Sequence, residues 1–193
     1  PADGSTITKV ATLEHDTDFA KNNSLVQVDN DTYALAYRGP DDDGFITTFT
    51  IPADGSSITK VATLEHDTDY ARNNSLVQVD NDTYALAYAG TNDDGWITTF
   101  TIPADGSSIT KVATLEHDGG NGQGNSLVQV DNDTYALAYR GTGDNGWITT
   151  FTIPADGSSI TKVATLEHDT DNGKANSLVK LNSKTYALAY SGA

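Results

Sequence analysis

Ten residues of this chain combine types and spacings that could hold a polar ligand: Arg38, Asp42, Phe45, Tyr70, Arg72, Asp93, Trp96, Arg140, Asp144 and Trp147. An aromatic ring flanked by carboxylates, amides and guanidiniums can stack on a sugar ring and bond its hydroxyls. Weak sites of that kind gain strength when they are repeated. The same aromatics, at matching places in a repeat, could instead fill the space between neighbouring structural units. Both readings stay open.

The acidic stretches Asp41-Asp42-Asp43-Gly44 and Asn92-Asp93-Asp94-Gly95 set oxygen donors beside a glycine, as calcium loops do. They lack the alternating Asp-x-Asp-x-Asp spacing and the distal glutamate of an EF-hand. Ordinary hairpin turns explain them better, with calcium as the alternative and no other cofactor expected. His15, His66, His117 and His168 each stand in Leu-Glu-His-Asp. Four histidines spread over four units cannot converge on one ion, so a structural role such as bonding a connecting loop is expected. No serine, cysteine or lysine has a recognisable nucleophile context. Near-identical units also lack the asymmetry of a catalytic constellation, so no enzyme is expected.

The formal net charge is −16 with a pI near 4.2, which repels nucleic acid and anionic membranes. No stretch has the 18 or more apolar residues of a membrane span. Without cysteine, neither a disulfide framework nor a thiolate zinc site can form. The chain has no methionine and opens at a repeat landmark, which reads as a fragment of something longer.

That landmark is Pro-Ala-Asp-Gly, at Pro1, Pro52, Pro103 and Pro154, a constant step of 51 residues. The repeats run 1–51, 52–102, 103–153 and 154–193, and we expect them to form a single domain. Such a period marks solenoids, propellers and arrays, in which each unit buries its apolar face against a sibling. Within the second unit, Ser75–Val79, Thr83–Tyr88 and Trp96–Ile102 read as strands, rich in β-branched and aromatic residues. Ile109–Leu115 has apolar residues three apart, which also suits a helix, but its Thr and Val content favours a fourth strand.

Three links between these runs are short and one, from Leu64 to Asn74, is about twice as long. Short links join antiparallel neighbours, so each unit is a four-stranded meander and the long link leads to the next unit's inner strand. This is the wiring of a β-propeller blade. In Tyr84-Ala85-Leu86-Ala87-Tyr88 alternate side chains oppose, making one bulky face and one thin face. Stacked identical sheets need that pairing, so these tyrosines are expected in the core rather than as sugar platforms.

The motifs Ser-Leu-Val-Gln-Val-Asp, Thr-Tyr-Ala-Leu-Ala-Tyr, Gly-Trp-Ile-Thr-Thr-Phe-Thr-Ile and Leu-Glu-His-Asp resemble tandem propeller repeats of large secreted bacterial proteins, of the small four-bladed type. In size the units are also similar to hemopexin-type blades, whose closing disulfide this chain cannot make. The resemblance implies an all-β propeller of four four-stranded antiparallel blades. It also implies an extracellular or cell-surface location. The function it suggests is a non-catalytic repeat module for adhesion or assembly. The partners would be further copies or the rest of a longer repeat protein, with no nucleic acid and no membrane insertion. The alternative is a lectin-like, glycan-binding propeller.

The strand count predicts a gap. The chain starts on an outer strand, Ile7–Leu13, and ends on the inner pair Ser177–Leu181 and Thr185–Tyr190. One strand equivalent to Gly146–Ile153 is therefore missing from the last blade, which invites completion by another chain. Differences between repeats are concentrated in two links, exemplified by 68–73 and 89–94. In a meander both emerge on the same side. Ligands bind preferentially on such loops, although loops with undemanding backbone geometry also vary freely.

Overall fold

A computed structural model describes residues 5–192, so the first Pro-Ala-Asp-Gly, at 1–4, lies outside the described residues. The strands are β1 (Lys21–Gln27), β2 (Thr32–Arg38), β3 (Gly44–Thr50), β4 (Thr59–Asp67), β5 (Arg72–Asp80), β6 (Thr83–Ala89) and β7 (Gly95–Thr101). They continue with β8 (Thr110–Asp118), β9 (Gln123–Gln129), β10 (Thr134–Arg140), β11 (Gly146–Thr152), β12 (Thr161–Asp169), β13 (Lys174–Lys180) and β14 (Tyr186–Ser191). They form three four-stranded sheets in chain order and a final two-stranded sheet, β13–β14, all antiparallel. This is a β-propeller of four blades, the last incomplete.

Within each blade the second and third strands pair an aromatic with an aromatic: Tyr33 faces Phe49, Tyr84 faces Phe100 and Tyr135 faces Phe151. Cross-strand pairs of this kind hold the register of a meander. The ambiguous fourth run is a strand in all three complete blades, β4, β8 and β12. Its Thr and Val residues suit a pleated surface, and a partner strand is in reach. Ile7–Leu13 is different. It forms no strand, and Ile7 is 99% exposed; among the described residues no third strand lies beside it.

The core lies between blades. Ala34, Ala36 and Ile46 of the first blade pack against Leu76, Tyr84, Leu86, Tyr88 and Phe100 of the second. Ala85, Ala87 and Ile97 repeat the arrangement against Leu127, Tyr135, Leu137, Tyr139 and Phe151. Thin face thus meets bulky face, and Tyr84, Leu86, Ala85 and Ala87 are all fully buried. Hydrogen bonds from backbone to serine side chains join the inner strands across this core. Leu76 N–H donates to Ser24 Oγ, Leu127 N–H to Ser75 Oγ and Leu178 N–H to Ser126 Oγ, each at 2.9 Å. Inner strands β1 and β5, β5 and β9, and β9 and β13 run side by side, whereas β1 and β13 do not. Among the described residues the blades make an open arc.

Candidate functional site

The second-to-third-strand turns, Pro40–Asp42, Thr91–Asp93 and Thr142–Asp144, share a left-handed backbone. Asp41 and Asp42 have φ of 55° and 73°, Asn92 and Asp93 of 61° and 70°, and Gly143 and Asp144 of 77° and 70°. Asp, Asn and Gly tolerate that region best, which explains the composition of these turns without a metal. Among the described residues, no group of three or more His, Asp or Glu side chains converges to hold an ion.

Each turn offers a carboxylate to an arginine at the root of an inner strand or the end of its neighbour. Asp42 pairs with Arg38, Asp93 with Arg72 and Asp144 with Arg140. Arg140 also donates to Gln123 Oε1 at 3.1 Å. Between the first two blades these guanidiniums build a column. Arg38 lies 5.2 Å from the Phe19 ring and 4.8 Å from the Tyr70 ring, and Arg72 lies 4.8 Å from Tyr70 on its own account. Lys21 adds a cation 4.3 Å from Phe19. In the third blade Asn121 and Gln123 occupy the places of Tyr70 and Arg72, so the column stops there.

Beside the column is a depression of about 490 Å³ lined by Asp69, Tyr70, Thr91, Asn92 and Asp93. Thr91 Oγ1 donates to Asp69 Oδ2 at 3.4 Å across it. Its lining combines carboxylate, amide and hydroxyl groups with the Tyr70 ring.

Asp67 organises the link that supplies Tyr70. Its Oδ1 accepts the backbone N–H of Asp69 and Tyr70 at 3.1 and 3.3 Å, and its Oδ2 accepts the Tyr88 hydroxyl at 3.0 Å. Asp118 and Asp169 cap their links in the same way. Sequence reasoning passed over this aspartate, although its presence in all four Leu-Glu-His-Asp copies was a usable signal. On the outer side, Asp43 is pushed up to about 6 by desolvation, by a hydrogen bond with Glu65 and by the charges of Glu65, Asp41 and Asp67.

Phe45, Trp96 and Trp147 are half-buried beside the loop face and pack into the clusters between blades. Phe45 stacks on Tyr37 at 5.6 Å, and Trp96 covers Gly90, where a Cβ would come within 2.6 Å of its ring. Tyr70 has two guanidiniums near its ring, those of Arg38 and Arg72.

The histidines are packing groups. His66 and His117 are buried edge-on against Tyr88 and Tyr139 of the following blade, at 5.0 and 4.7 Å. Neither ring nitrogen of either residue has a hydrogen-bond partner among the described residues, so they do not bond the loop as expected. Burial drives both down to about 4.

No family model and no curated protein matches this chain. Solved structures do. The NanB sialidase of Streptococcus pneumoniae superposes with a TM-score of 0.61 at 13% identity, over 82% of this chain and 25% of that one. A protein described as a 6-phosphogluconolactonase, from Bacteroides fragilis, gives 0.58 at 16% identity, over 76% and 39%. The periplasmic gluconolactonase of Pseudomonas aeruginosa gives 0.51 at 12%, over 82% and 61%. The fold is shared. The chain spans about a quarter of the sialidase's length and less than two thirds of the two lactonases. These neighbours correct the expectation of a non-catalytic adhesion or assembly module: they are enzymes, and all three names concern sugars or sugar acids. No helix among the described residues is long and apolar enough to cross a membrane.

Proposed function

We propose that the loop face carries a carbohydrate-directed site, centred on the depression between the first two blades. The observation that carries this reading is the coincidence of that depression with the links in which the repeats differ. Asp69, Asp93 and Asn92 would accept and donate hydrogen bonds to sugar hydroxyls, with the Tyr70 ring beside them. Arg38 and Arg72 hold Tyr70 and Asp93 in place, so the site is rigid before a ligand arrives. The names of the structural neighbours favour a sugar or sugar-acid ligand. Arg140, Asp144 and Trp147 form a plainer version of the same loop cluster in the third blade.

Titration calorimetry across neutral and acidic oligosaccharides tests this. Binding that is lost in D93N and D69N but retained in D144N fits the site. Binding insensitive to all three refutes it.

A second reading is hydrolysis of a sugar linkage, favoured by Asp43. A carboxyl group that keeps its proton up to about pH 6, with a second carboxyl alongside, has the makings of a general acid and its partner. Release of reducing sugar that vanishes in both D43N and E65Q would support it, and wild-type inactivity on all linkages would end it. The extracellular location and the kinship with tandem repeats of large secreted bacterial proteins are proposals of the same standing, resting on the quoted motifs.

A further inference from the structure

We propose that the two terminal blade faces fit each other, so that a second copy of this chain docks head to tail on the first. Every internal junction between blades uses one set of contacts. An inner-strand leucine buries itself against the preceding thin face, and its backbone N–H donates to the preceding serine. Leu76, Leu127 and Leu178 are 4%, 3% and 5% exposed in this way. Leu25 holds the same place in β1 and is 57% exposed.

The opposite end shows the complementary vacancy. Ala187, Ala189 and Val179, counterparts of the buried Ala85, Ala87 and half-buried Val77, are open to solvent on β13 and β14. Ser177, the counterpart of Ser24, Ser75 and Ser126, is exposed where the other three accept a leucine N–H. Leu25 N–H and Ser177 Oγ are therefore the two halves of a bond that the chain makes three times internally. Because the repeats are nearly identical in sequence, the shape match across this contact is inherited from the internal ones.

There is room for the contact. Leu13 and His15 lie over the first blade, beside Leu25 and Phe49, much as the end of a preceding outer strand would. In the docked pair those residues would occupy the place of the outer strand that the β13–β14 sheet lacks among the described residues. A spacing of about 4.8 Å per strand leaves them clear of β14. The contact is heterologous, so copies close into a ring or extend as a filament according to how the rotations sum. Both partners carry a charge of −16, which opposes association at low salt.

Sedimentation of the 193-residue chain at rising concentration tests this, in low and high salt, with L25K and A189R. Both substitutions fall on exposed positions of the single copy. The wild type is expected to gain mass with concentration, more strongly in high salt. L25K alone and A189R alone are each expected to stay monomeric. An equimolar mixture retains one intact head and one intact tail, and should stop at a dimer. L25S, which adds no charge, should weaken association about tenfold or more. A wild type that is monomeric at all concentrations and salts, an L25K that associates like wild type, or a mixture that stays monomeric would each overturn the proposal.

Discussion

The guanidinium of Arg38, at the end of β2, rests 4.8 Å from the ring of Tyr70, which belongs to the link entering the next blade. That contact ties the loop face of one blade to its neighbour, and Arg72 approaches the same ring at 4.8 Å. Truncating Arg38 or Tyr70 to alanine should cost about 0.5–2 kcal/mol each. A double-mutant cycle read by chemical denaturation should show coupling, whereas pairing Arg140 with Tyr70 should give strict additivity.

Acid should destabilise the fold through His66 and His117. In the unfolded chain a histidine takes up its proton near pH 6.5, while these two stay neutral until about pH 4. Stability is therefore complete above about 6.5 and falls as the pH drops toward 4, by on the order of 3 kcal/mol per residue. Asp43 acts with the opposite sign below about 6, but it is part-exposed and its effect is small. Melting temperature against pH should flatten in this window when both histidines are replaced by phenylalanine.

Thr99 is buried and donates through Oγ1 to the carbonyl of Gly157 at 2.7 Å, while accepting the N–H of Ala113 at 3.1 Å. Thr99→Val keeps the shape and strands both partners, so a loss of about 1–3 kcal/mol is expected. Thr150 sits at the same place in the third blade, where the incomplete fourth blade supplies no such carbonyl among the described residues. Its valine variant should melt within a degree or two of wild type.

Gly95 begins β7 directly under the His117 ring, and a Cβ there would come within 2.4 Å of the ring. Gly95→Ala should cost about 1–3 kcal/mol by overpacking. Combining it with His117→Ala should recover part of that loss in thermal denaturation.

The alternation in Tyr84-Ala85-Leu86-Ala87-Tyr88 was enough to assign the strand, its two faces and the rule by which blades stack. Side-chain direction in a strand depends only on position, so the pattern carries the packing with it. The repeat period and link lengths likewise determined the meander and its handover from outer to inner strand. The state of Ile7–Leu13 was not legible, because its sequence matches three segments that are strands. Pairing is decided by whether a neighbour exists, and no residue within the segment records that.

The candidate site divides in the same way. Which loops share a face followed from the topology. Only the tertiary structure decided that Asp42 and Asp93 serve Arg38 and Arg72, that Tyr70 lies near both guanidiniums, and that the tryptophans lean into the junctions between blades. Those outcomes depend on distances between side chains from different repeats, which near-identical local sequences cannot encode. The sequence by itself therefore determined the blade and its order of strands. The fold in space decided which side chains of different repeats meet and which charges pair.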